Sequence, residues 1–267
     1  MHDGTETPDD AEQAGQVRKP RKGIYVLPNL FTLAALFGGF YAIVMAMNGR
    51  FDLAAIGVFC AMVLDSLDGR VARMTNTQSA FGEQMDSLSD MVSFGAAPAL
   101  IAYEWSLKGL GRWGWIAAFV YCACAALRLA RFNVMAYDES KMPIWGKHFS
   151  VGTPAPAAAL LSLSPLIFEL TFPIHFSGVG VALIMVAVGG LMVSRVPTLS
   201  LKKLPLSQQH AIPVVLVVVV LLGCLYSEPC LTLSTTICLY VATFPWVYLK
   251  YRRFIKDHQH DAEEGGL

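Results

Sequence analysis

The sequence carries little charge for its size. Only 15% of the 267 residues are Asp, Glu, Lys or Arg, against about 25% in an average soluble domain. Hydrophobic residues make up 55% of the chain, and the mean hydropathy is +0.50. This composition excludes an ordinary soluble domain and predicts a protein of the lipid bilayer. The formal net charge of +0 gives no indication of partners, and no nucleic acid is expected among them.

The sequence also lacks a cysteine motif for metal binding and an internal repeat. Cys122 and Cys124 lie inside an apolar segment, where small buried hydrophobes are typical. Cys224 and Cys230 flank a predicted outer loop. Whether they form a disulfide in an oxidising compartment is left undecided by the sequence. Any metal site must therefore be built from other ligands.

Long apolar runs dominate the rest of the chain. Each is close to the ~20 residues that a membrane-spanning helix needs, and Gly- or Pro-containing breaks separate most of them. The runs cover approximately residues 28–48, 52–72, 84–104, 113–135, 154–173, 176–194, 211–227 and 231–249. The predicted fold is therefore all-α, a polytopic transmembrane helix bundle of about eight spans.

The ends of the chain and the basic residues predict its orientation. Residues 1–23 and 251–267 are polar; the first is predicted to be a disordered tail and the second a short tail. With both tails in the cytoplasm, every Lys and Arg except Arg50, Lys108 and Arg112 falls on the cytoplasmic side, as the positive-inside rule requires. We expect an integral protein of the inner (cell) membrane, surrounded by membrane lipids.

Four aspartates stand out within the apolar region. Asp65 and Asp68 are three residues apart, and Asp86 and Asp90 are four residues apart. Each spacing places two carboxylates on one face of a helix. Because only a short segment links the two helices, we expect antiparallel neighbours whose four carboxylates converge.

Converging carboxylates need positive charge beside them. A charged side chain at the bilayer centre costs about 2.5–3.5 kcal/mol on insertion scales, and like charges also repel one another. Two divalent cations carry the matching charge, and oxygen ligands suit hard ions such as Mg²⁺ or Mn²⁺. The pattern predicts a two-metal site at the cytoplasmic end of the bundle that binds phosphate and drives a phosphoryl-type transfer.

Small residues share the faces of the aspartates. Gly69, Ala72 and Gly82 have two interpretations, close helix packing or space for a bulky ligand, and the neighbouring carboxylates favour the ligand. Arg73 is placed either to pair with a phosphate or to extend to the membrane interface.

This region resembles the signature of the CDP-alcohol phosphotransferase family at every defined position. In this chain the signature reads Asp65-x2-Asp68-Gly69-x2-Ala72-Arg73-x8-Gly82-x3-Asp86-x3-Asp90. The resemblance implies a six-helix catalytic core, here residues 24–194, in a protein that is usually a homodimer. Two additional transmembrane helices would then occupy residues 195–250.

The resemblance also implies roles for individual residues. Asp65, Asp68, Asp86 and Asp90 would be the metal ligands, and Asp90 would also be the general base. The residues that would border the CDP-lipid are Pro28, Asn29, Thr32, Gly69, Ala72, Arg73, Ser79 and Gly82.

Three further segments bear on the acceptor alcohol. Residues 27–32, 128–133 and 149–158 resemble the integral-membrane class of phosphatidylserine synthases, which implies phosphatidyl transfer from CDP-diacylglycerol to L-serine. Arg128 and Arg131, at the predicted cytoplasmic end of the fourth span, would bind the acceptor's carboxylate. Alternatively, they are topology residues that contact lipid headgroups.

Two other functions stay open. Within the same family the acceptor can be glycerol 3-phosphate or an inositol compound, although a phosphorylated acceptor should demand more basic residues near the metals. From a different class, intramembrane carboxylates also mark cation- or proton-coupled transporters. Transporter sites usually lie near mid-bilayer on broken helices, which disfavours that alternative here.

Overall fold

The computed structural model describes residues 26–74, 79–137, 150–194, 197–198, 220–221 and 223–244. Within them nearly every element is helical, in the following order. They are α1 Val26–Met47, α2 Phe51–Met74, α3 Ala80–Asp90, a π-helix Met91–Ala96, α4 Ala97–Trp105, a 3₁₀ turn Leu107–Leu110, α5 Arg112–Tyr137, β1 Ser150–Val151, α6 Ala155–Ser162, α7 Ser164–Thr171, α8 Gly178–Val193, β2 Pro197–Thr198 and α9 Pro229–Phe244.

The predicted all-helical class is confirmed, with one small exception. β1 and β2 are two residues each and pair antiparallel, with Ser150 opposite Thr198. The apolar run 154–173 forms two helices, α6 and α7, rather than one. Pro165 lies in the first turn of α7, and because it has no backbone N–H and its ring clashes with the preceding turn, α6 cannot run on through it.

Helix α1 has one face buried in the bundle and an opposite face that is apolar and exposed. Ala35, Ala42 and Ala46 are buried against the rest of the bundle, whereas Phe37 and Phe40 on the opposite face are exposed. A helix whose outward face is strongly apolar suits contact with lipid rather than water. Small buried residues let the helices approach closely, as is typical of membrane bundles.

Two of the described helices are long and apolar enough to cross a membrane. These are residues 29–47 of α1 and 112–135 of α5, and α8 and α9 are shorter apolar helices. The count of eight spans stays a prediction, since much of the run 211–227 and both polar tails lie outside the described residues. The described thiols of Cys224 and Cys230 are free.

Helix α9 packs into the same core as the N-terminal helices. Leu233 and Ile237 belong to one buried cluster with Ala42 of α1, Phe59 of α2 and Leu166 of α7. The hydroxyl oxygens of Ser234 on α9 and Thr171 on α7 are 2.8 Å apart. Among the described residues, α9 therefore shares a hydrophobic core with helices that precede residue 194, and the predicted division at that residue stays a prediction.

Candidate active site

Two neighbouring helices supply the aspartates. Asp65 and Asp68 lie in the C-terminal half of α2, and Asp86 and Asp90 lie on α3. Helix α3 begins at Ser79, whose hydroxyl accepts a 3.0 Å hydrogen bond from the backbone N–H of Gly82. This cap fixes the start of α3 and therefore the direction in which its carboxylates project.

Three of the four carboxylates converge as predicted. One oxygen from each of Asp65, Asp68 and Asp86 lies within 4.8 Å of the others. Asp65 and Asp68 are buried, with 1% and 5% of their surface exposed, and Asp86 is half-buried. Buried like charges at this separation repel strongly unless a cation neutralises them. The residues present therefore fit a hard divalent ion with oxygen ligands.

Asp90 lies outside this group of three but faces the same region. It is buried, with 8% exposure, and the guanidinium of Arg128 interacts electrostatically with both Asp90 and Asp65. Asp90 ends α3, and the π-helix begins at the next residue. Single π-helical turns are frequent at functional sites. The roles of Asp90 as fourth ligand and as base stay predictions.

The π-helix is held from two sides. The hydroxyl of Tyr121 on α5 donates a 2.9 Å hydrogen bond to the carbonyl of Phe94. The hydroxyl of Ser93 donates to the carbonyl of Ala35 on α1 at 3.1 Å. A Cβ placed on Gly39 of α1 would lie 2.5 Å from Cα of Ser93, so α1 can approach this turn only at a glycine.

Thr32 links α1 directly to the aspartates. Its hydroxyl donates a 3.0 Å hydrogen bond to Oδ2 of Asp68, and its backbone carbonyl accepts one of 3.2 Å from Ser89 on α3. Sequence reasoning assigned Thr32 to the nucleotide pocket. The structure shows it in contact with a predicted metal ligand, in the position of a group that orients that ligand.

The other residues predicted to border the CDP-lipid are placed around this cluster. A Cβ on Gly82 would lie 3.5 Å from Oδ1 of Asn29 and 3.2 Å from the hydroxyl of Ser79, which brings these three residues together. A Cβ on Gly69 would meet no atom of the described residues within 4 Å, so among them there is open space beside this part of α2. The side chains of Pro28, Ala72 and Arg73 lie outside the described residues.

The two predicted acceptor-binding arginines have different surroundings. The guanidinium of Arg131 donates to the carbonyl oxygens of Val193 at 2.7 Å and Ser194 at 3.2 Å, where α8 ends. It therefore caps α8. Arg128 instead interacts electrostatically with Asp90 and Asp65.

Sequence reasoning did not foresee several of these contacts. The hydroxyl of Ser87 donates a 3.0 Å hydrogen bond to Oδ1 of Asn133, which joins α3 to α5. Ser89 and Tyr121 were also missed. Asn133 ends the segment 128–133, whose resemblance to a known class of enzymes could have drawn attention to it. A serine in a helix or a tyrosine in an apolar run has no sequence feature that predicts a role in a site.

Comparisons with known proteins agree with this geometry. A family model described as CDP-alcohol phosphatidyltransferase matches residues 25–194. A Helicobacter pylori protein named CDP-diacylglycerol–serine O-phosphatidyltransferase is 34% identical over 236 residues, which covers 86% of this chain and 94% of the relative. A Mycobacterium tuberculosis protein of the same name is 30% identical over 250 residues, covering 91% and 86%.

A third relative comes from an archaeon. The archaetidylserine synthase of Methanothermobacter thermautotrophicus is 37% identical over 175 residues, covering 64% of this chain and 68% of the relative. The family model spans more than half of the chain and includes all four signature aspartates and Thr32. The chain therefore belongs to the CDP-alcohol phosphatidyltransferase family.

Proposed function

We propose that this chain transfers the phosphatidyl group of CDP-diacylglycerol to the hydroxyl of L-serine, which gives phosphatidylserine and CMP. The observation that carries the proposal is the buried group of Asp65, Asp68 and Asp86, whose carboxylates come within 4.8 Å of one another. Family membership supports the donor chemistry. The names of the bacterial relatives support serine as the acceptor.

The four signature aspartates would hold two divalent cations, Mg²⁺ or Mn²⁺. Bound there, the cations would neutralise charge on the pyrophosphate and on the entering and leaving oxygens. Thr32 orients Asp68 through its hydrogen bond. The open space beside Gly69 would admit the CDP-lipid against the backbone of α2, with Asn29, Ser79 and Gly82 at its edge.

Asp90 is proposed as the general base. Its carboxylate takes the proton of the serine hydroxyl while that oxygen attacks the lipid-linked phosphorus. The bond from this phosphorus to the CMP oxygen breaks, and CMP leaves. A carboxylate is a weak base toward an alcohol, so proton transfer must be concerted with attack. Arg128, which interacts electrostatically with Asp90, is proposed to bind the serine carboxylate near this base.

Arg131 is assigned a structural role in this proposal. Its guanidinium contacts the carbonyls that end α8, whereas Arg128 interacts electrostatically with Asp90 and Asp65. Of the two arginines predicted to bind the acceptor, Arg128 is therefore the one proposed for that role. Homodimerisation, cytoplasmic termini and an active site on the cytoplasmic side complete the proposal.

A single assay tests the function. Purified protein is incubated with CDP-diacylglycerol, Mg²⁺ or Mn²⁺, and in separate tubes L-serine, glycerol 3-phosphate or inositol, and CMP release is measured. We expect release with serine and none after chelation. CMP release with only one of the other alcohols would show that this alcohol is the acceptor instead of serine. No release with any alcohol would contradict the proposal.

An aspartate variant tests the site itself. Replacing Asp65→Asn keeps the side-chain shape but removes a charge from the three-carboxylate group, and we expect kcat to fall by about 10³-fold. Asp52→Asn is the matched control, because Asp52 pairs with exposed Arg50 at the other end of α2 and its loss should change kcat less than about twofold. Equal activity of both variants would contradict the metal site.

A further inference from the structure

Tyr240 lies on α9, beyond residues 25–194 that the family model matches. Leu233, Ile237 and Tyr240 are spaced i, i+4, i+7, so they share one face of the helix. Leu233 and Ile237 are buried in the core cluster with residues of α1 and α2. The same face therefore carries Tyr240 into the bundle rather than toward lipid.

Along the length of the bundle, Tyr240 lies near the level of the aspartates. Near the start of α9, Cys230 is within electrostatic range of Asp52 at the start of α2. At 1.5 Å per residue, Tyr240 lies about 15 Å along α9 from Cys230, and Asp65 lies about 20 Å along α2 from Asp52. Both helices run from that shared level, so Tyr240 reaches the end of the bundle that holds the aspartates.

Tyr240 and Arg128 lie within electrostatic range of each other there. Arg128 also interacts with Asp90 and Asp65. The Tyr240 hydroxyl and Nε of Arg128 are both buried, and neither has a hydrogen-bond partner among the described residues. Buried polar groups are nearly always paired, and leaving one unpaired is costly. Two such groups from different helices point to a ligand that supplies the missing acceptor atoms.

We propose that Tyr240 is an acceptor-binding residue whose hydroxyl, together with the guanidinium of Arg128, binds the carboxylate of L-serine. The inference rests on the proposed function. A carboxylate offers two acceptor oxygens and a negative charge, which matches an arginine and a neighbouring hydroxyl donor. The donor substrate is less suited, because the residues predicted for the CDP-lipid lie on α1, on α2 and around the start of α3.

The test is Tyr240→Phe in the full chain, with steady-state kinetics for both substrates. The change removes only the hydroxyl and keeps the ring, which packs edge-on against Phe244 at 5.3 Å, so the melting temperature should not move. We expect the KM for serine to rise about tenfold or more. The KM for CDP-diacylglycerol and kcat should stay within about twofold. Tyr226→Phe is the matched control, since Tyr226 is exposed, and it should leave all three constants unchanged.

Ethanolamine supplies a second readout because it is serine without the carboxylate. In the unaltered protein kcat/KM should favour serine, and in Tyr240→Phe that preference should shrink by the same factor by which the serine KM rises. Activity with ethanolamine itself should not change. A residue that merely stabilises the fold would affect both acceptors alike.

The outcomes separate the two proposals. If the unaltered protein releases no CMP with serine, the proposed function fails and this inference falls with it. If it uses serine and Tyr240→Phe leaves the serine KM unchanged, or raises the KM for CDP-diacylglycerol instead, only the assignment of Tyr240 is overturned. A lower yield of folded variant does not obscure the result, because KM does not depend on the amount of active enzyme.

Discussion

At the scale of single residues, the hydroxyl of Thr32 has the clearest link to the proposed chemistry. It is buried and holds one oxygen of Asp68, a member of the three-carboxylate group, through a 3.0 Å hydrogen bond. Groups that orient a metal ligand in this way typically change metal affinity or activity by 10–100-fold when they are removed. We therefore expect Thr32 to affect activity by orienting Asp68.

Thr32→Val tests this role, since valine keeps the shape and loses the hydroxyl. We expect the Mg²⁺ or Mn²⁺ concentration for half-maximal activity to rise by about tenfold, because Asp68 is no longer held in place. The measurement is activity against metal concentration. Thr235→Val is the control, because the Thr235 hydroxyl bonds only to carbonyls of its own helix. An unchanged metal requirement in Thr32→Val would refute the orienting role.

At the scale of elements, the ends of the helices position the site. Ser79 caps α3, the π-helix follows directly after Asp90, and Arg131 closes α8. Gly152 precedes α6 at φ +77°, and a Cβ there would lie 2.5 Å from the carbonyl oxygen of Met192. The chain at Gly152 therefore runs tightly against the end that Arg131 caps. These local features fix which side chains reach the centre of the bundle.

Arg131→Gln separates capping from acceptor binding. The substitution removes charge-assisted hydrogen bonds to the α8 carbonyls, and we expect the free energy of unfolding to fall by about 1.5–3 kcal/mol, with a KM for serine within about twofold of the original. Thermal unfolding and serine kinetics measure the two effects. Arg50→Gln, at an exposed ion pair, should change neither. A tenfold higher serine KM with unchanged stability would contradict the structural role and show that Arg131 binds the acceptor.

At the scale of the whole molecule, the described helices run between two distinct ends. The aspartates, Arg128 and Tyr240 lie toward one end, and Asp52 and Cys230 lie toward the other. The proposed orientation places the first end in the cytoplasm, where soluble serine and the CDP moiety meet the inner leaflet. The opposite end would then face outward, and with it the turn between the last two predicted spans.

Cys224 reports on this orientation. It is exposed and lies six residues before Cys230 in the sequence, so we expect a membrane-impermeant maleimide to label it in intact spheroplasts. Cys224→Ser should reduce that labelling, and Cys224→Ser with Cys230→Ser should abolish it, because Cys230 is a free thiol at the same end. If Cys224 reacts only after the membrane is permeabilised, the proposed orientation is inverted.

The sequence alone determined the helical class, the segments near 28–48, 52–72 and 113–135, and the aspartates that converge. These follow from short-range rules, because hydrophobic length defines a span and i, i+3 or i, i+4 spacing defines a helix face. Only the tertiary structure decided which partner each polar group meets. The hydrogen bonds from Thr32 to Asp68, from Arg131 to the end of α8 and from Ser93 to Ala35 join residues far apart in the chain. Such contacts depend on how helices pack, and no local pattern encodes that packing.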